Sequence, residues 1–269
     1  MTQPLKLMAV LAHPDDESLG IGGVLAKYAV EGVHTYLVTA TRGERGWAGD
    51  PQTYPGPERL GQVREAELRA AAEVLGLHQV AFLDYIDGDL DQTDPAEAIA
   101  KIVLHLRQVR PQVVVTFGPD GSYGHPDHIA ISQFTTAAVA CTADPTHLTG
   151  DDDPAHRVSK LYYMADSQEL INLVQAIGEN ITITIDGEDR GLVAWEEWAI
   201  TTRIDTTAHW QTVWQAVVCH RSQLPNYPWL EQLPEQVHQR LWGCQTFYRA
   251  FSLVNGGRQV EHDLFEGLR

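Results

Sequence analysis

The sequence predicts an α/β fold: a mostly parallel sheet with helices on both faces. Three observations carry this. Up to about residue 140, short aliphatic runs alternate with stretches of helical period. The leading run, Leu5–Ala12, is apolar but for Lys6, as a strand buried on both faces is. Glycine and proline mark the joins between segments.

Each element has its own signal. Leu5–Ala12 reads as the first strand and Leu19–Val30 as a helix closed by Gly32. His34–Ala40 is a second strand. The segment 41–57 holds Gly43, Gly46, Gly49, Pro51, Pro55 and Gly56, which is loop chemistry. Glu58–Leu75 places Leu60, Val63, Ala66, Leu68, Ala71 and Leu75 near helical spacing, with Gly76 to cap it. Val80–Leu83 is a short strand. Asp94-Pro95 supplies an N-cap and a first-turn proline for a helix to Arg110. Val113–Phe117 is a strand and Asp127–Cys141 a helix. Beyond Cys141 the pattern is less regular. Asp144–Pro154 reads as an acidic loop, Lys160–Met164, Ile181–Ile185 and Thr246–Val254 as strands, and Ala208–His220 and Glu235–Trp242 as helices. No repeat or linker splits the chain. The expectation is one domain over 1–269, an α/β core over 1–142 with a C-terminal α+β elaboration over 143–269.

The formal charge of −17, from 19 basic and 36 acidic residues, argues against sequence-independent binding to nucleic acid or anionic membrane. Three cysteines, Cys141, Cys219 and Cys244, form no Cys-x-x-Cys pair. That disfavours a disulfide framework or a thiolate metal site and favours a reducing compartment. No apolar run approaches the ~20 residues of a membrane span. Met1–Lys6 lacks signal-peptide features. The expected location is the cytoplasm.

Two clusters carry the chemistry: His13-Pro14-Asp15-Asp16-Glu17 and His125-Pro126-Asp127-His128. Each follows a predicted strand, and loops leaving the carboxyl ends of parallel strands gather where such sheets bind ligands. His13, Asp16 and His128 are the candidate metal ligands. Two imidazoles and a carboxylate leave a position open on a single Zn²⁺, with Fe²⁺, Co²⁺ or Mn²⁺ as alternatives. Asp15 is placed as the general base. His125 is the acid or oxyanion stabiliser, expected as an imidazolium oriented and raised in pKa by Asp127. Glu17 is either a supporting acceptor or a helix N-terminal carboxylate. Gly20-Ile21-Gly22-Gly23 fails the dinucleotide fingerprint, because position 25 is leucine.

Ala12-His13-Pro14-Asp15-Asp16-Glu17 and Tyr123-Gly124-His125-Pro126-Asp127-His128 resemble the paired signatures of the LmbE-like, or PIG-L, de-N-acetylases. Thr39–Glu44, Arg64–Glu67, Phe117–Gly121, Lys160–Tyr163 and His220–Gln223 extend the resemblance over most of 5–254; about 167–199 matches nothing placed. The resemblance implies a Rossmann-like three-layer α/β/α fold. It also implies a zinc-dependent amidase acting mostly on N-acetylglucosamine-type sugars, with the residue roles given above.

Arg64, Tyr123, Glu44, Asp84 and Asp87 are the candidate substrate contacts: Arg64 as a fork of donors, Tyr123 as an oxyanion donor, the acids as acceptors for sugar hydroxyls. Core packing or solvent exposure is the plainer reading of each. Six tryptophans from Trp195 to Trp242 suit a core, a sugar platform or an oligomer interface. The leading function is removal of an N-acetyl group from an amino sugar or related small molecule. The alternatives are cleavage of a larger amide, such as a thiol conjugate or antibiotic intermediate, and a non-catalytic metal-stabilised binding module.

Overall fold

In chain order the elements are β1 (Lys6–Leu11), α1 (Asp16–Val30), β2 (His34–Thr41), α2 (Pro57–Leu75), β3 (Gln79–Tyr85), α3 (Pro95–Val109), β4 (Val113–Thr116), α4 (Gly121–Gly124), α5 (Pro126–Cys141), β5 (Lys160–Met164), α6 (Gln168–Ala176), β6 (Thr182–Ile185), β7 (Glu188–Gly191), β8 (Thr202–Asp205), α7 (Trp210–Val217), α8 (Glu235–Trp242) and β9 (Cys244–Ser252). The structure, a computed structural model, describes residues 4–147, 153–177, 182–185, 187–257 and 259–269. Ile181 of the expected strand and 148–152 of the expected acidic loop lie outside the described residues.

The local signals act as their chemistry requires. The Asp94 carboxylate accepts the Ala96 N–H at the start of α3, with Pro95 in the first turn. Gly76 closes α2 at φ +74°, a left-handed conformation that glycine adopts without steric cost. α2 turns Leu60, Leu68, Ala71 and Leu75 inward. α1 begins at Asp16 rather than Leu19, so the acidic end of the first cluster occupies a helical first turn. The segment 208–220 is a short 3₁₀ turn followed by α7, and α6, β7 and β8 carry no clear sequence signal.

The main sheet has seven strands in the order β3-β2-β1-β4-β5-β9-β8. The first five run parallel, and β9 pairs antiparallel with both β5 and β8. This is the expected three-layer arrangement. α1, α2 and α7 pack together as one layer, and α3 and α5 as the other. β1 is central and buried from Leu7 to Leu11, which explains its unbroken apolar run. Chain order reverses between β1 and β4, making the crevice above their carboxyl ends the switch point of the sheet. The C-terminal half completes this sheet. Buried Lys160 on β5 donates to Glu261 (2.7 Å), which also takes the Tyr162 (2.8 Å) and Thr202 (3.0 Å) hydroxyls and pairs with Arg249 (3.0 Å). Among the described residues, no helix is long and apolar enough to cross a membrane.

Candidate active site

The first cluster turns out of β1 and into α1. The Asp16 carboxylate closes that turn by accepting the N–H of Ala12 (3.1 Å) and of His13 (2.7 Å). The second cluster opens α5, with Pro126 at its first position and His128 in its first turn. His128 Nδ1 lies 3.2 Å from the Gly121 carbonyl, and its ring stacks on Phe117 at 3.8 Å. A ring that donates Nδ1–H to a carbonyl presents the Nε2 lone pair.

Donor atoms of three residues then converge. His13 Nδ1 lies 3.2 Å from His128 Nε2 and 3.8 Å from Asp16 Oδ2, and His128 Nε2 lies 3.5 Å from Asp16 Oδ1. Donors at about 2.0–2.2 Å from a tetrahedral ion stand about 3.3–3.6 Å apart, so the set fits one divalent cation. The far side of His13 is held too: Nε2 faces Asp127 Oδ2 (3.0 Å) and Asp87 Oδ1 (3.2 Å). Burial disfavours charge on His13, but these two carboxylates and Asp16 hold it up to about pKa 10. Asp16, despite burial, is held well below the carboxylate range by His128 and His13. A field that retains a proton here also favours a cation. His13, His125 and Asp127 form a second group within ligand reach. It is the poorer set, because both Asp127 oxygens already accept backbone N–H groups, from Gly88 (2.7 Å) and Leu90 (3.1 Å), whereas both such bonds to Asp16 fall on Oδ2 and spare Oδ1.

Asp15 stands beside the triangle at φ 116°, a conformation strained for any residue but glycine. Its surroundings hold it there. Arg64 donates to the Pro14 carbonyl (2.5 Å), the Gly43 carbonyl (3.1 Å) and the Asp15 carboxylate (3.2 Å). Glu17 accepts the Asp15 N–H (3.0 Å) and is fixed by His220 Nε2 (2.7 Å) and the Ser18 hydroxyl (2.5 Å). Burial outweighs Arg64 and raises Asp15 to about pKa 6. That matches proton affinity to a base working near neutrality.

His125 and Asp127 depart from expectation. His125 caps α5 through its ring: Nδ1 accepts the Asp127 N–H (3.1 Å). Nδ1 is therefore unprotonated and Nε2–H is the available donor. Burial first, and then the charge gathered at the neighbouring ligand positions, lowers His125 to about pKa 4, so it is a neutral donor rather than an imidazolium. The Asp127 side chain turns away to His13 and the loop after β3, and it orients His13 instead of His125.

The substrate candidates divide. Tyr123 lines the cavity, edge-on to His128 (5.3 Å) and His125 (6.0 Å). Asp87 also lines it, but its carboxylate is committed to His13 and the Arg45 N–H. Arg64 is buried and acts on the site through Asp15 and the Pro14 carbonyl rather than as a free fork. Glu44 sits one layer back, reaching the Asp87 N–H at 3.3 Å. Asp84 points outward: its side chain is 67% exposed and paired with Arg42. Sequence reasoning gave no role to His220, Tyr227 or Gln223. His220 touches the site only through Glu17, and Tyr227 and Gln223 line the cavity from the segment after α7.

Comparison with known proteins is consistent with this geometry. The family model described as PIG-L, GlcNAc-PI de-N-acetylase, matches residues 8–139, which include both clusters. A 1D-myo-inositol 2-acetamido-2-deoxy-α-D-glucopyranoside deacetylase of Thermobispora bispora is 31% identical, covering 98% of this chain and 98% of its own. A mycothiol S-conjugate amidase of Streptomyces coelicolor is 30% identical, covering 100% of this chain and 99% of its own. A conserved protein of Thermus thermophilus of known structure superposes with TM-score 0.64 at 25% identity, covering 94% of this chain and 97% of its own.

Proposed function

The chain belongs to the PIG-L family of GlcNAc-PI de-N-acetylases and is a hydrolase of amide bonds, and from that premise we propose that it removes the acyl group from an N-acylated amino sugar with the help of one zinc ion. The observation that carries this reading is the donor triangle of His13, Asp16 and His128, flanked by Asp15 and by the Nε2–H of His125. Zinc held there supplies Lewis acidity, polarising the amide carbonyl and lowering the pKa of water.

The chain's own groups do the rest. Asp87 and Asp127 hold the His13 ring from behind, and the Gly121 carbonyl holds His128. Asp15, ionised above about pH 6, accepts a proton from the attacking water. His125 Nε2–H hydrogen-bonds the carbonyl oxygen as charge develops on it, and the proton that Asp15 has taken from water passes to the departing nitrogen. The Thermobispora relative acts by name on a 2-acetamido-2-deoxy-glucopyranoside, an amide on a hydroxylated sugar, and the Streptomyces relative is by name an amidase. This supports an amino-sugar substrate here.

The test is a panel of N-acetylated amino sugars scored for released acetate and free amine, with protein as purified, after chelation and after zinc is restored. Hydrolysis that disappears on chelation and returns with zinc is expected. Undiminished hydrolysis by metal-stripped protein would overturn the role of zinc. Failure to cleave any amide in the panel would overturn the substrate reading.

A further inference from the structure

The crevice at the sheet edge has two ends of different chemistry. Its volume is about 310 Å³, and it runs continuously past His13, Asp15, Asp16, His125 and His128. Toward the loops after β2 and β3 it is lined by Gly46, Arg64, Asp87 and Gln223. Toward β5 and β9 it is lined by Met164, Leu170, Val174, Leu192, Leu241 and Trp242. These six come from the end of β5, from α6, from the segment after β7 and from α8. Five elements of the fold therefore meet at the apolar end, counting α1, whose Gly20 lies against the Met164 methyl.

Polar side chains at this end are already engaged by the protein. Asp166 accepts from the Ser122 hydroxyl (3.0 Å). The Gln245 amide spans the Gly20 carbonyl (2.8 Å) and the Val24 N–H (2.7 Å). The Thr246 hydroxyl donates to the Ala165 carbonyl (2.5 Å). Beside these groups the six apolar side chains supply the surface for a ligand. Met164 and Leu170 are only partly buried, and a flexible thioether adapts readily to chains of varied shape.

Sheet order fixes which part of a substrate meets this surface. The metal ligands follow β1 and β4, Gly46 and Asp87 follow β2 and β3, and Met164 ends β5 on the opposite side of β1 and β4 in the sheet order, with Phe247 of β9 beyond it. A sugar–NH–CO–R substrate with its hydroxylated ring at the polar end and its amide at the donor triangle extends R toward β5 and β9. We propose that the apolar end is an acyl subsite, and that the preferred substrate is an amino-sugar amide whose acyl group carries a hydrophobic chain of several carbons rather than acetyl alone. This rests on the reading of the site as an amide hydrolase and specifies what that site accepts.

Each methylene buried in such a wall contributes up to about fourfold in kcat/KM. N-hexanoyl glucosamine, four carbons longer than the N-acetyl compound, is therefore expected to be cleaved at least about tenfold more efficiently. The experiment compares the two with zinc-loaded full-length protein and with Leu192→Trp and Val174→Phe, which fill the subsite from different segments. Calorimetric affinity of both compounds for zinc-loaded Asp15→Asn reads the subsite without turnover. The expected result is tenfold or greater preference for hexanoyl, tighter hexanoyl binding, and a preference that falls at least fivefold in either variant, chiefly through KM.

Equal or better cleavage of the acetyl compound would overturn the subsite while leaving amide hydrolysis intact. A hexanoyl preference unmoved by both folded variants would overturn its location. Cleavage of neither compound would instead refute the underlying hydrolase reading, and the subsite with it.

Discussion

Replacing Asp15 with asparagine isolates the base from everything else this side chain does. The amide would retain an acceptor oxygen for Arg64, which stands 3.2 Å from the Asp15 carboxylate, and the backbone N–H that reaches Glu17 at 3.0 Å is untouched. Asparagine also tolerates positive φ better than other side-chain-bearing residues, so the 116° backbone persists. Neither contact nor conformation is lost, only the ability to take a proton. The expected loss in kcat is ~10²–10⁴-fold, or about 3–5 kcal/mol in the barrier, with one zinc still bound. Asp15→Ala is the control: it also removes the Arg64 partner and leaves a residue poorly suited to the left-handed backbone. It should therefore lose about 1–3 kcal/mol of stability that Asp15→Asn keeps. Release of free amine from an N-acyl amino sugar, metal content and urea denaturation separate the cases. Parental turnover by Asp15→Asn would refute the assignment of the base.

Three other perturbations probe the supports of the site. His125→Ala should lower kcat by ~10²–10³-fold and also lose about 1 kcal/mol of stability, because the ring caps α5; His125→Asn should recover the stability but not the rate in urea melts and kinetics. His220→Ala strips a buried carboxylate, Glu17, of its imidazole partner at 2.7 Å, and should cost about 3–5 kcal/mol in urea denaturation and lower kcat through Asp15, with zinc stoichiometry unchanged. Burial works against ionised Glu261, but bonds from Lys160, Asn255 and Tyr162 hold it below its ordinary 4.5. Because the folded-state value is depressed, its stabilisation is full above pH 4.5 and disappears as pH falls through that lower value. Glu261→Gln should therefore cost about 3–5 kcal/mol at pH 7 and flatten the acid limb of stability against pH, measured by urea midpoints from pH 7 to pH 3.

The sheet is readable in the sequence because its central strands are buried on both faces and their loops carry strong local punctuation. The two clusters are readable for a related reason: three-residue spacing at a strand end or in a helical first turn sets side-chain proximity locally, as with His13 and Asp16. Direction over longer range is not readable. Asp84 leaves β3 near the sheet edge, yet its backbone φ of 61° and Arg42 turn it to solvent. Adjacency suggests that Asp127 serves His125. The helix cap instead uses Asp127's own N–H for that ring and sends the carboxylate to Gly88, Leu90 and His13. His220 lies 203 residues from the Glu17 it fixes, a separation at which no spacing rule operates. The apolar end of the crevice is assembled from β5, α6, α8 and the segment after β7, none of which reads as a motif alone.

Anomalous diffraction from crystals of the protein loaded with zinc would locate the ion on which the proposed chemistry depends. One strong peak per chain is expected, about 2.0–2.2 Å from His13 Nδ1, His128 Nε2 and an Asp16 carboxylate oxygen, with solvent or substrate completing the coordination and the peak lost in His13→Ala and His128→Ala. A peak between His125 and Asp127 instead, one whose coordination the polypeptide completes by itself, or no bound ion at all would contradict the proposed centre.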